Sequence, residues 1–251
     1  MNKIRIIPTV LYKETNAIKG KNFQSWRIVG SLLQAIRLYS LREVDELIFL
    51  DVSATKNKSI NYRLIDDFAD ECFMPVVVGG GIKNLNDIEN VLKVGADRVC
   101  VNTALVEDIN FIEKAIKVFG TQCIIGSIDY KKDKKGNNII WKNSGQINTK
   151  IELFEFLNKI NDIGIGEILL TSIDHDGVMS GYDNTVLKKA NRLFDFKLIA
   201  SGGAGCEEDF LKTIQLTGVS ALSCSSIFHF TENTPFTIKN FLKTKNINVR
   251  I

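Results

Sequence analysis

Little in this sequence suggests a metal site, a membrane anchor or a secretion signal. The five cysteines (Cys72, Cys100, Cys123, Cys206, Cys224) form no C-x-x-C pair, and no histidine lies near one at ligand spacing. That pattern excludes the common zinc frameworks and marks the thiols as reduced, small apolar side chains. No cofactor motif is present either, so neither metal nor cofactor is expected. No apolar run reaches the ~18 residues of a membrane span. The N-terminus MNKIRIIPT enters a strand-like segment directly, without the cationic start, apolar middle and small-residue cleavage site of a secretory signal, which predicts a cytoplasmic protein with no membrane partner. A net charge of +3, with lysines spread along the chain, is too small to predict nucleic-acid binding. The local basic cluster KKDKKG at 131 to 136 continues into Asn-Asn and reads as a solvated hairpin tip.

What the chain does contain is a regular alternation. Its 251 residues, 45% hydrophobic and 24% charged, are enough for one α/β barrel or for one to two ordinary domains. Eight β-branched runs stand out, at 4 to 10, 46 to 52, 75 to 80, 97 to 102, 123 to 129, 167 to 173, 197 to 203 and 219 to 225. Between them apolar residues recur at helical spacing, as in Leu64, Ile65, Phe68, Ala69 and Cys72. Asn84 and Asn86 before IENVLK, Pro235 near the start of the last helix, and Gly95 and Gly218 just past helix ends mark boundaries. Eight strand-helix units without a linker predict a single (β/α)8 TIM-barrel domain over residues 1–251; a doubly wound open sheet is the alternative.

An internal repeat supports closure. IIPTVLYK at 6 to 13 matches IIGSIDYK at 124 to 131, ELIFLD at 46 matches EILLTS at 167, VGGG at 78 matches ASGG at 200, and VCVNTA at 99 matches ALSCSS at 221. The offsets of 118, 121, 122 and 122 residues divide the chain into two half-barrels, about 1–120 and 121–251. The first pair has one asymmetry: the second copy carries Asp129 where the first carries Leu11.

Active sites of such barrels lie at the C-terminal strand ends. There one half supplies Gly79, Gly80 and Gly81 with Asn102 and Thr103, and the other supplies Ser201, Gly202 and Gly203 with Ser225 and Ser226. Glycines let backbone N–H groups approach an anion, and hydroxyls complete the cradle. Two such cradles on opposite sides of one mouth predict a ligand with a phosphate at each end.

The segments KG-NF at 19 to 23, FLDVSA, VGGGI, GADRVCVNTA, GEILLTSIDHDG, SGYD, IASGGAG and SIFHF, in this order and spacing, closely resemble the cyclase subunit of imidazole glycerol phosphate synthase over Lys3 to Arg250. In that family the barrel receives ammonia from a glutaminase and uses it to cleave and cyclise a bisphosphorylated ribonucleotide. The resemblance implies phosphate contacts at Gly81, Asn102, Thr103, Asp176, Gly177, Gly203 and Ser226. It also implies an acid/base pair of aspartates ending strands 1 and 5. Asp129 fits the second; Leu11 occupies the place of the first. Lys19 is retained in the first loop, Asp51 ends the second strand run, and SLLQ follows Gly30 where the family usually has Asp-Pro.

At the other end, Arg5 lies inside an apolar strand, and Glu46, Arg98 and Glu167 open others. Charges on one inward ring are too costly to bury unpaired, which predicts a salt-bridged floor; a purely structural plug is one reading. In the resembled family such a ring gates ammonia entry, and Asp97 resembles a contact to the glutaminase. Above it Thr9, Cys100, Ser127, Thr171, Ser201 and Ser223 suit a small, partly polar interior. His175 reads as a solvated loop residue, His229 as locally packed, and Trp26 as packing or covering a ligand. Three functions follow: a glutaminase-binding, ammonia-passing subunit with lost cyclase chemistry, serving amidination of a surface-polysaccharide sugar; a working cyclase using Asp51 or water; or a bisphosphate-binding module.

Overall fold

The alternation of inward and outward residues along each strand builds two separate cores. The computed structural model describes residues 3–42 and 44–250. The strands are β1 (Arg5–Lys13), β2 (Asn16–Lys21), β3 (Gln24–Ser31), β4 (Leu47–Asp51), β5 (Val76–Gly79), β6 (Arg98–Val101), β7 (Ile124–Lys132), β8 (Asn138–Lys142), β9 (Ile147–Glu152), β10 (Glu167–Ser172), β11 (Lys197–Ser201) and β12 (Ala221–Cys224). Eight of them, in the order β1-β4-β5-β6-β7-β10-β11-β12, pair in parallel and return to β1. This is the predicted closed (β/α)8 barrel, and the open-sheet alternative is excluded by the β1–β12 and β7–β10 pairings.

Inside the ring, Ile7, Ile48, Val77, Cys100, Ile125, Leu169, Ile199 and Ala221 form one apolar layer, a residue from each barrel strand. Outward residues such as Ile6, Val10 and Tyr12 join the larger core under the helices. Phe68 of the helix Tyr62–Ala69 meets both Tyr12, edge-on at 6.4 Å, and Phe49 at 4.5 Å between ring centroids. Burying each such side chain contributes about 1.5–3 kcal/mol, so the helices are held chiefly by this face. Helix ends follow the expected chemistry: the Asn84 side chain accepts from Asp87 N–H at 2.9 Å, and Gly218 takes the left-handed conformation after Glu207–Thr217. Asn86 lies within the helix Leu85–Lys93.

The eight expected strands are present, but four more were not foreseen. β2 and β3 extend antiparallel from β1, and β8 and β9 extend antiparallel from β7. The first loop is therefore a hairpin, and Lys19 and Trp26 lie on its strands. The repeat is thus deeper than the motif matches suggest, because each half begins with a long strand that rises past the barrel rim and folds back over the mouth. The basic segment after β7 is a hairpin tip, closed by Asp133 N–H donating to Asn137 O at 2.9 Å.

Candidate functional site

Three strands lie between β1 and β7 on either side of the eight-stranded ring, so Leu11 and Asp129 face one another across the barrel axis. By the same count the β5 and β6 ends lie opposite those of β11 and β12. These ends surround a cleft of about 1100 Å³ up to its open rim. Of the residues expected at the mouth, Leu11, Lys19, Asp51, Gly80, Gly81, Asn102, Thr103, Asp129, Thr171, Asp176, Gly177, Ser201, Gly202, Gly203, Ser225 and Ser226 line it, while Gly79 is the last residue of β5 and does not.

Asp129 is buried, and its carboxyl is pushed up to about 7, first by desolvation and then by the nearby Asp176 carboxylate; hydrogen bonds from Thr171 and Asn102 oppose the rise. The Asn102 amide holds it in place, donating to Asp129 Oδ2 at 3.1 Å and to Ser127 O at 3.0 Å. A carboxyl poised near neutrality can both give and take a proton. Opposite it, Leu11 is 9% exposed and packs beside Leu50 of the neighbouring strand. Asp51 lines the same wall, but its Oδ1 accepts from Ser53 N–H at 2.8 Å, Ser53 Oγ at 2.7 Å and Ala54 N–H at 3.1 Å. This acid therefore caps a short helix, one strand away from Leu11.

On the β11/β12 side, Gly202 and Gly203 have φ of +86° and +124°, and a Cβ at Gly203 would come within 2.1 Å of Gly181 O. Only glycine fits there, which leaves backbone exposed at the cleft. Ser225 Oγ and Ser226 Oγ are buried without a hydrogen-bond partner among the described residues. Buried hydroxyls without partners are costly, and a bound anion would satisfy both. On the β5/β6 side, Gly81 also has a positive φ, of +76°, and Thr103 Oγ1 accepts from Asn143 N–H at 3.1 Å.

Two hairpins roof the cleft. Lys19, almost wholly buried, makes a two-pronged ion pair with Asp176 at 2.8 and 2.9 Å. Asn22 donates to the Ile173 and Asp174 carbonyls at 3.0 and 2.8 Å. From the second hairpin, Ser144 Oγ donates to Val52 O at 3.1 Å, and Gly145 lies against the Phe23 ring. Ser144 and Phe23 line the cleft and were missed from sequence; the only signal was the Asn-Ser-Gly turn at 143 to 145, which marks a hairpin without saying where it lands. Trp26 lines the rim and is partly exposed. His175 Nδ1 pairs with Ser172 Oγ at 2.8 Å, outside the cleft lining. Burial, and to a lesser extent Lys19, pull the His229 imidazole down to about 4, so it is neutral and packs locally.

The floor is a closed square of charges. Arg5 contacts Glu46 at 2.6 Å and also Glu167, while Arg98 contacts Glu46 at 2.9 Å and Glu167 at 2.7 Å. Asp97 lies outside the ring, exposed, and accepts from Val76 N–H at 2.8 Å. Between floor and cleft come the apolar layer and then the hydroxyls of Thr9, Ser127, Thr171, Ser201 and Ser223, with Thr9 and Ser223 2.5 Å apart. No group of histidine, cysteine, aspartate and glutamate that could hold a metal occurs among the described residues. No helix among them is long and apolar enough to cross a membrane.

Fold and site define a twofold-repeated (β/α)8 barrel with a two-sided cleft, lined by glycines and hydroxyls, above a charged floor. The profile of the histidine biosynthesis protein family matches residues 5–234. A Campylobacter jejuni protein provisionally named imidazole glycerol phosphate synthase subunit hisF2 is 41% identical over the full length of both chains. The imidazole glycerol phosphate synthase subunit HisF of Dictyoglomus thermophilum is 40% identical over 98% of each chain, and that of Clostridium botulinum strain Alaska E43 is 38% identical over all of both. The chain belongs to the histidine biosynthesis protein family, as a HisF-like barrel subunit.

Proposed function

We propose that this chain is the barrel subunit of a glutamine amidotransferase pair that binds a glutaminase at its floor and passes on the ammonia, without performing the cyclisation itself. The observation that carries the proposal is Leu11, an apolar side chain facing Asp129 across the cleft. Cyclisation with carbon–nitrogen cleavage needs protons moved on two sides of the substrate. Leucine moves none, and loss of a positioned acid or base commonly removes about 10²- to 10⁴-fold of rate. Asp51 is a poor substitute because one of its oxygens is committed to three donors.

The partner face is supported from the other end. Phe73, 91% exposed, stands in the loop into β5 beside Asp97, whose carboxylate holds the Val76 N–H of that strand. Leu41 and Val118, at the ends of the helices leading into β4 and β7, are also exposed. Apolar side chains around a charged ring suit a protein interface, and a glutaminase is the occupant that the family relationship suggests. The ammonia then serves a separate amidotransferase; by analogy with paralogous pairs of this kind, we assign it to amidination of a surface-polysaccharide sugar.

The second reading, a working cyclase of histidine biosynthesis, is favoured by Asp129 being held near neutrality and by both cradles being kept. Turnover of the bisphosphorylated ribonucleotide with ammonium salt separates the two. No turnover by the native chain, with activity created by Leu11→Asp, supports the proposal; turnover by the native chain alone makes it a cyclase that recruits Asp51 or water. A glutaminase encoded near it, co-expressed, is expected to co-purify, and absence of a complex at micromolar concentrations removes the partner role.

A further inference from the structure

The net charge of +3 conceals a segregation. Residues 13–27 and 131–150, which build the two hairpins, carry ten lysines and arginines against the two acids Glu14 and Asp133, so the rest of the chain sums to −5. Only Lys19 among the ten lines the cleft, where Asp176 holds it. Lys132 and Lys142 reach Asp183 and Glu107, but Lys13, Lys21, Lys134, Lys135 and Lys150 are exposed and have no ion-pair partner among the described residues. The acid of the second hairpin is committed to its tip: Asp133 Oδ1 accepts from Lys135 N–H at 2.8 Å and Asn137 N–H at 2.9 Å, and Oδ2 from the Asn137 amide at 3.1 Å. Lys134 and Lys135 thus sit on a fixed turn with their ammonium groups free. Each hairpin also exposes an isoleucine, Ile28 at 66% and Ile147 at 44%, and Arg27 lies 4.1 Å from the Phe230 ring.

The hairpins touch where Gly145 meets Phe23, so these like charges adjoin and repel one another until an anion covers them. A ligand inside the cleft does not do so, because nine of the ten cations lie outside its lining. An anion broad enough to lie over both hairpins has the size of a protein face, and cations mixed with exposed apolar side chains and an arginine suit such an interface. We propose that the two hairpins form a basic platform for the acidic face of the enzyme that consumes the ammonia. This rests on the reading that the chain passes ammonia on. Ammonia released into water at neutral pH takes up a proton and ceases to be a nucleophile, so the consuming enzyme has to sit over the mouth, where the hairpins are what it meets. Glutaminase and consumer then occupy opposite ends of one barrel, and the charge of the hairpins selects the second partner and speeds its encounter.

The test uses the chain co-purified with its glutaminase and, as probe, the amidotransferase encoded beside them, with binding followed by biolayer interferometry. Raising salt from about 50 to about 300 mM should weaken the complex about tenfold or more. Lys134→Glu with Lys135→Glu, at two exposed tip positions, should weaken it about tenfold at the lower salt and leave glutaminase binding within about twofold of the parent. Product formed from glutamine should fall with binding, and product formed from added ammonium salt should not. Binding that ignores both salt and the two substitutions, or no complex at about 10 μM, overturns the platform. So does attachment through the same lysines to phosphatidylcholine vesicles containing about a third phosphatidylglycerol, in place of the amidotransferase, which assigns the charge to a membrane. Failure of any glutaminase to co-purify overturns instead the delivery reading; salt-sensitive binding of the amidotransferase to the barrel alone, lost with the two lysines, then still upholds the platform.

Discussion

Replacing Asp129 by asparagine should change the pH dependence of stability in a calculable way. The carboxyl titrates at about 7 in the fold against an ordinary value of 3.8. Burial penalises the charged form, so the folded state binds the proton more tightly than the unfolded chain. That favours folding below the unfolded value, and the benefit is lost as pH rises through the folded one. At about 1.36 kcal/mol per unit the whole effect is on the order of 4 kcal/mol, of which roughly 2–3 kcal/mol disappears between about pH 5 and pH 8. Asparagine keeps the shape and the contact with Asn102 but does not titrate. Urea unfolding of parent and Asp129→Asn at both pH values should therefore show the variant gaining roughly 2–3 kcal/mol on the parent as pH rises, or roughly 5–10 °C in Tm for a domain of this size. A parent-to-variant difference constant within about 0.5 kcal/mol across that window would refute the claim that burial keeps this acid protonated.

Three further outcomes follow from the same contacts. Arg98→Met leaves the buried Glu46 and Glu167 facing Arg5 alone and should cost about 3–5 kcal/mol in urea unfolding, with part of the loss recovered when Glu46→Gln is added; an independent, additive pair would show that the square is not coupled. Lys19→Met removes the ion pair that pins the first hairpin to Asp176, so limited proteolysis should cut faster between residues 20 and 27, and cutting at the parental rate would show that Asn22 alone holds it. Ser226→Asp should weaken inorganic phosphate binding, measured by calorimetry, by about tenfold or more through like-charge repulsion in a buried site, and undiminished binding would remove Ser226 from the cradle.

Much of this architecture was legible because the barrel strands, buried on both faces, are short continuous apolar runs such as VVVG and EILLTS between helical patterns. The β1 segment shows why this works and where it stops. Strand geometry gives Arg5, Ile7, Thr9 and Leu11 one face, and the structure puts Arg5 in the floor, Ile7 in the apolar layer, and Thr9 and Leu11 in the cleft lining. The same segment concealed the hairpins. In β3 the residues Gln24 to Ile28 are all exposed, so no buried face imposes an alternation that a reader could detect, and two register shifts in the β2–β3 pairing blur what remains. β8 and β9 were hidden likewise behind the basic tip at 131 to 136. Contacts between distant segments, such as Ser144 with the Val52 carbonyl, leave no local trace at all.

The twofold repeat makes the asymmetry at Leu11 more informative than a single substitution would be. β1 and β7 share length, position, an antiparallel hairpin and matching ends, and on both sides of the mouth the groups suited to an anion are kept. The β1 wall has not simply decayed: Leu11 is well packed, Thr9 still pairs with Ser223 at 2.5 Å, and Lys19 still reaches Asp176. The glycines at positive φ are required by the turns themselves, since a Cβ at Gly203 would meet Gly181 O at 2.1 Å, whereas the buried Ser225 and Ser226 hydroxyls cost stability unless something pairs with them. Those two hydroxyls, set around a mouth with an apolar Leu11 opposite Asp129, fit the role proposed above, in which the mouth binds without paired acid–base chemistry.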